Sequence, residues 1–195
     1  LDLGANVECD AQHLYQFSIM GSALVQSLQL NDKPVVGLMN IGSEEIKGNE
    51  KIKSAGQLMQ KSNLNYAGFV EGDDIFSGKF DVIVTDGFVG NIALKSIEGV
   101  AKVISHFIKK EFTKNIFTKL SALISLPVMN SVKKKVDPRK YNGASLLGLQ
   151  GVVVKSHGGA DSYAFSQAID TAYNEVKNEL LDKIESLIQT ELSNE

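Results

Sequence analysis

The chain is governed by an alternation in which short apolar runs are each followed by a Gly- or Asn-rich turn, then by a longer stretch with apolar residues at helical spacing. The runs are 1–3, 34–39, 66–70, 80–84 and 152–154, and the central ones are rich in Val and Ile with few charges. Strands covered on both faces look like this. The pattern predicts an α/β fold, a mainly parallel sheet flanked by helices. Leu14, Phe17, Gly21, Leu24 and Leu28 place an apolar stripe on a helix over about 10–29. A shorter helix is expected over 50–61, opened by Gly48-Asn49. A long one is expected from near Val89, with Ile97, Val100, Ala101, Ile104 and Ile108 on one face. Phe165, Ala168, Ile169, Ala172, Val176, Leu180, Ile184 and Leu187 keep one register over 162–192, which predicts a single C-terminal helix.

With 195 residues the chain is long enough for one substantial core, so a single α/β domain over 1–195 is expected. Only three residues precede Gly4 and no initiator methionine is present, so the first strand looks cut and the chain is expected to be the C-terminal part of a longer protein. The longest stretch free of Asp, Glu, Lys and Arg, 11–31, carries His13, Gln12, Gln16 and Ser18, so it is no membrane span. The lone Cys9 forms no internal disulfide, and no secretory signal opens the chain, which together predict a cytoplasmic protein.

In open α/β sheets, ligands bind beyond the carboxyl ends of strands, where following helices present unpaired N–H groups. The polar residues of this chain gather there. Gly4-Ala5-Asn6 follows the first run, Asn40-Ile41-Gly42 the second, Glu71-Gly72-Asp73-Asp74 the third, Asp86-Gly87-Phe88-Val89-Gly90-Asn91 the fourth, and Ser156-His157-Gly158-Gly159 the fifth. Gly87 and Gly90 allow a close backbone approach, and a helix start favours an anion, so this turn is a candidate phosphate cradle. It equally suits a plain strand-to-helix turn with Asn91 as the cap. It is neither a Walker loop nor a dinucleotide fingerprint. At the next turn, His157 could stabilise developing charge or shuttle a proton near neutral pH. His13 and His106 fall within helical segments and suit packing or solvation. Cys9 stands before a helix start, where a thiolate is favoured, but Glu8 and Asp10 oppose one. No metal is expected: His and Cys lack ligand spacing, and Glu71, Asp73 and Asp74 read as a solvated loop.

The net charge of −3 is unevenly spread, because segment 107–140 holds nine basic residues against Glu111 and Asp137. A basic segment on an acidic body suits a localised anionic partner and argues against nucleic acid. Leu120, Leu123, Ile124 and Leu126 crowd around Pro127, with Lys133, Lys134 and Lys135 beside them. This predicts a protruding amphipathic helical hairpin over 107–140 with an apolar tip and a basic collar. It would meet a membrane surface or an acidic protein, or form a dimer interface with solvated lysines at its rim.

Several strings are specific together. Leu1-Asp2-Leu3-Gly4-Ala5-Asn6, Gln16-Phe17-Ser18-Ile19-Met20-Gly21-Ser22, Val36-Gly37-Leu38-Met39-Asn40-Ile41-Gly42 with Lys47-Gly48-Asn49-Glu50, Asp86-Gly87-Phe88-Val89-Gly90-Asn91, and Tyr141-Asn142-Gly143-Ala144 to Gly148-Leu149 before Ser156-His157-Gly158 occur in order along nearly the whole chain. They resemble the bacterial phosphate acyltransferases of phospholipid synthesis, a family whose members are longer at the N-terminus. The resemblance implies transfer of a fatty acyl group from acyl carrier protein to inorganic phosphate, giving acyl phosphate. It also implies a fold like that of isocitrate and isopropylmalate dehydrogenases, a homodimer, no nicotinamide cofactor, and peripheral attachment to the inner membrane face. There the product would pass to a membrane glycerol-phosphate acyltransferase.

In such chemistry phosphate is itself the nucleophile, so the site must hold a dianion against a thioester carbonyl and stabilise the oxyanion that forms. By position in the chain, Gly87, Gly90, Asn91, Ser156 and Gly158 are expected to hold phosphate, with Asn6 and Asn40 as polar contacts. His157 and Lys95 are expected to stabilise charge, and Asp86 to orient a donor. Two other readings remain: a phosphotransacetylase-like enzyme using short-chain coenzyme A thioesters, and a non-catalytic, membrane-tethered carrier-binding module.

Overall fold

The structure, a computed structural model, describes residues 1–192. The last three residues of the expected domain lie outside the described residues. Three parallel strands, β1 (Val36–Met39), β2 (Tyr66–Val70) and β3 (Val82–Val84), form a sheet of order β2-β1-β3. Helices α1 (Ala11–Ser27) and α2 (Glu50–Lys61) pack against it. Helix α2 has the bounds its sequence predicts, because Asn49 accepts the Ile52 N–H at 2.9 Å and so satisfies one of the donors a helix start leaves open. Leu14, Val36, Leu38, Met59 and Val84 are completely buried between sheet and helices.

Helix α1 departs from the single stripe expected of it. Ser18, Ile19, Met20, Gly21, Ser22 and Ala23 are all buried, since α1 is wedged between the sheet and α2 on one side and α6 (Leu180–Leu192) on the other. The buried serines are satisfied within the helix: Ser22 Oγ donates to Ser18 C=O at 2.9 Å and Ser27 Oγ to Leu24 C=O at 2.8 Å.

Three expectations about the remaining elements are corrected. Residues 1–3 form no strand: the Leu1 amino group donates to Ile83 C=O and Leu1 C=O accepts the Thr85 N–H at 3.2 Å, but Asp2 at φ +64° turns the chain away. The fifth run does not join the parallel sheet. Its end, β5 (Val154–Lys155), pairs antiparallel with β4 (Ala144–Ser145). The C-terminal helix is two helices, α5 (Ser162–Lys177) and α6, divided where Glu179 adopts φ +54°. The break lets α5 lie on β4 and β5 while α6 turns Leu180 and Ile184 into a second cluster with Met20 and Ala23 of α1.

The basic segment 107–140 spans the end of one helix and the whole of the next. Helix α3 (Gly87–Phe112) and helix α4 (Ile116–Lys135) pack on each other around the turn Thr113-Lys114-Asn115. Pro127 sits inside α4, and Asn115 and Thr118 close a capping box at its start. Only Gly87 and Gly90 of α3 are buried, and no residue of α4 is.

Gly21 marks a close helix-to-sheet approach. A Cβ there would lie 2.6 Å from Val82 Cγ1. Gly21→Ala adds about 1 kcal/mol of helix propensity, but overpacking a core typically costs about 1–3 kcal/mol. A net loss of stability is expected, read as a lower urea midpoint at unchanged slope.

Candidate functional site

The predicted residues fall into two clusters. The first is built on Asp2, whose carboxylate accepts the N–H groups of Gly4 at 2.9 Å, Ala5 at 2.8 Å and Asn6 at 3.0 Å, and the Asn6 amide at 3.0 Å. Burial pulls the Asp2 carboxyl up, but these bonds outweigh it and hold the carboxyl below its ordinary 3.8. The closed turn lies on the first turn of α3. Asn6 C=O accepts the Gly87 N–H at 2.8 Å, a Cβ on Gly87 would lie 2.7 Å from that oxygen, and one on Gly90 would lie 2.0 Å from Asp2 C=O. Asn91 lies beside Gly4, 3.6 Å from where a Cβ on it would be.

Helix α3 begins at Gly87, and its cap is Asp86 rather than Asn91: Asp86 Oδ1 accepts the Val89 N–H at 2.8 Å. The first N–H groups of α3 are thus taken by Asn6 C=O and by Asp86. The glycines serve a close approach of one backbone to another here. Burial pushes the Cys9 thiol up, and Asp2 and Asp86 push the same way, so this sulfur is protonated at neutral pH. Lys95, one turn past Asn91, is exposed and forms no ion pair among the described residues.

The second cluster surrounds Ser156 and His157. Asn142 Nδ2 donates to Ser156 Oγ at 2.9 Å and to Ala164 C=O at 2.8 Å, and Asn142 Oδ1 accepts the His157 N–H at 2.9 Å. His157 Nδ1 accepts the Gly159 N–H at 3.1 Å, which leaves Nε2 as the ring's donor. Asn142 follows a 3-10 turn, Pro138–Tyr141, held to the start of α5 by Arg139. The Arg139 guanidinium bonds Asp137 at 2.7 Å and Asp161 at 3.0 Å and lies 5.4 Å from the Tyr163 ring centroid. Arg139 pulls the Asp137 carboxyl down to about 2. Asp161, which caps α5 through the Ala164 N–H at 2.8 Å, is lowered by that bond and by Arg139. Sequence reasoning assigned no role to Asn142, Arg139 or Asp161. The signal for them was the string around Asn142, since the bonds of Asn142 and the Arg139–Asp161 pair join residues 14 to 22 positions apart.

No hydrogen bond joins the two clusters among the described residues. Gly158 is exposed beside His157. Asn40 belongs to neither cluster; its amide donates to Lys47 C=O at 3.1 Å and its oxygen accepts the Ile41 N–H at 2.8 Å, so it closes its own loop. His13 completes the α1 cap with Asp10, and His106 lies exposed against Phe107. Glu71 accepts the Ser43 N–H and Asp74 pairs with Lys79 at 3.0 Å. A cleft of about 370 Å³ between α1, α6 and the loop joining β4 to β5 is lined by Tyr15, Ile19, Met20, Leu147, Ile188 and Glu191 among others, and by none of the predicted phosphate residues.

On α4, Leu120, Leu126, Lys133, Lys134 and Lys135 are exposed, with Leu123 and Ile124 63% and 82% exposed. No helix among the described residues is long and apolar enough to cross a membrane.

Comparison with known proteins places these features in a wider set. Residues 1–183 match a family described as fatty acid synthesis protein. The chain is 58% identical over 184 residues to a phosphate acyltransferase of Methylococcus capsulatus, covering 94% of this chain and 54% of that protein. Similar proteins of the same name come from Alkalilimnicola ehrlichii, 56% identical over 96% of this chain and 56% of that protein, and from Acidovorax sp., 55% identical with the same coverage. The chain spans about half the length of these relatives.

Because folding depresses the Asp2 carboxyl, its contribution to stability is full above the ordinary aspartate value and is lost as pH falls through the depressed one. Asp2→Asn leaves the Asn6 N–H facing an amide and removes this titration. The gap in urea midpoint between the two proteins is expected to be constant at neutral pH and to close below pH 3.8.

Proposed function

The chain belongs to the fatty acid synthesis protein family, and on that premise we propose that it carries part of a phosphate acyltransferase active site, moving a fatty acyl group from acyl carrier protein to inorganic phosphate. A phosphate oxygen attacks the thioester carbonyl and forms the new C–O bond; the C–S bond breaks, and the carrier thiolate leaves and takes a proton. The products are acyl phosphate and free carrier thiol. What supports this reading is the similarity to phosphate acyltransferases over nearly the whole chain. The chemistry needs no acylated side chain, in keeping with a buried Cys9 whose thiol is held protonated.

In this reading Ser156 and Gly158 hold phosphate and His157 Nε2 donates to the developing oxyanion. Gly87 and Gly90 let the turn through Asn6 close on the start of α3 beside Asn91, Asp86 orients α3 by capping it, exposed Lys95 adds positive charge one turn further on, and Asn40 holds its own loop. The same reading assigns the sheet to the layered fold of isocitrate and isopropylmalate dehydrogenases, with a second copy as partner. The α3–α4 hairpin, with exposed Leu120, Leu123, Ile124 and Leu126 and the lysines that end α4, lies on an anionic membrane surface, where a labile acyl phosphate is handed to a membrane glycerol-phosphate acyltransferase.

Release of thiol from long-chain acyl carrier protein is the direct assay, with and without phosphate. It is run on this chain and on the same chain completed with the remainder of the Methylococcus capsulatus relative. Phosphate-dependent release is expected. Release independent of phosphate, or none in either form, would overturn the transferase reading, and preference for a short-chain coenzyme A donor would move the assignment to phosphotransacetylase chemistry.

Replacing Leu123 and Ile124 with Asp is expected to move the protein from sedimenting anionic vesicles to the supernatant, with helix content by circular dichroism unchanged. Unchanged sedimentation with loss of the dimer would assign this face to subunit contact instead.

A further inference from the structure

The string around Asn142 carries no role in the reading above. From its hydrogen bonds we infer that Asn142 is a positioning residue, one that fixes the Ser156 hydroxyl as a donor aimed at the phosphate anion. The inference rests on the proposal that Ser156 holds phosphate.

The orientation of the Asn142 amide is settled by two backbone groups that each have a single capability. The His157 N–H only donates, and it meets Oδ1 at 2.9 Å; the Ala164 C=O only accepts, and it meets Nδ2 at 2.8 Å. Turning the amide over would set donor against donor and acceptor against acceptor. The second hydrogen on Nδ2 is therefore the one that reaches Ser156 Oγ, at 2.9 Å. A hydroxyl that accepts from an NH₂ group keeps its own proton for another partner. Ser156 Oγ has no other hydrogen bond among the described residues, and the residue is partly exposed. Its proton is thus presented outward, beside a His157 ring whose Nδ1 is already occupied.

An outward hydroxyl proton of fixed polarity suits a ligand rich in acceptors, which phosphate is. Aspartate in place of Asn142 would reverse the arrangement. Its carboxylate could accept from the His157 N–H, but it would face the Ala164 C=O with an oxygen and draw the Ser156 proton inward. The platform under Asn142 is stiff for the same reason that it was invisible in the sequence: Arg139 ties the preceding turn to Asp161 at the start of α5.

The test is steady-state kinetics of phosphate-dependent thiol release, in whichever of the two forms described above turns over. Asn142→Asp is expected to raise the KM for phosphate by about tenfold, the worth of one charge-assisted hydrogen bond, with the KM for the acyl donor unmoved. Ser156→Ala is expected to give a similar rise, and the double variant to be no worse than either alone. An unmoved phosphate KM in Asn142→Asp, or two rises that multiply in the double variant, would overturn the inference. Ser156→Ala leaves both backbone bonds of Asn142 in place, so it decides the matter if Asn142→Asp does not fold: an unmoved phosphate KM there also overturns it. Absence of phosphate-dependent release in the unsubstituted protein is failure of the functional reading, whereas turnover with unmoved KM values is failure of this inference alone.

Discussion

Gly21 of α1 rests against Val82 of β3, where a Cβ would lie 2.6 Å from a valine methyl, and the surrounding core takes its spacing from that approach. With α1 this close to the sheet, Leu14 and Ile19 join Leu38 and Val84 in one cluster, while Met20 and Ala23 on the other side meet Leu180 and Ile184. The loop preceding α1 is delivered onto the first turn of α3. The loop joining β4 to β5 reaches the other side of α1, where a Cβ on Gly148 would lie 3.2 Å from Met20 Sδ. Both clusters of polar residues are therefore referred to one buried helix, although no hydrogen bond links them directly among the described residues.

The two clusters differ in their electrostatics. At the start of α3 the positive end of the helix is met by Asn6 C=O and the Asp86 carboxylate, with the Asp2 carboxylate in the covering turn. Those groups complete the helix start and leave little attraction for a free anion. Around Ser156, by contrast, the nearby carboxylates Asp137 and Asp161 are engaged by Arg139, while a hydroxyl and an imidazole Nε2 are left as outward donors. In the function we propose, it is therefore the second cluster that takes the anion, even though the richer glycine pattern of the first drew attention to it in the sequence.

Much of the framework was legible. The bounds of α2 followed from a helical spacing and an asparagine cap, and β1, β2 and β3 from apolar runs rich in valine and flanked by turns. Where a long-range partner decides the outcome, the sequence was mute. Val152 to Val154 reads like any other buried run, yet its end pairs antiparallel with Ala144 and Ser145. Glu179 interrupts an unbroken apolar register with a left-handed residue, because α5 and α6 have different neighbours to cover. Ser156 and His157 could be picked out as polar residues after a strand; Asn142 could not, since its meaning lies in bonds to residues 14, 15 and 22 positions away.

The three parallel strands together with α1 and α2, the basic character of segment 107–140 and the family were all determined by the sequence itself, because each depends on local periodicity, on charge count or on strings that stay in order along the chain. Which face of α1 is buried, where the hairpin turns, and which group Ser156 Oγ accepts from were decided only by the tertiary structure. Those outcomes are set by groups brought together from distant parts of the chain, and a hydrogen bond or a close packing distance has no value until both partners are in place.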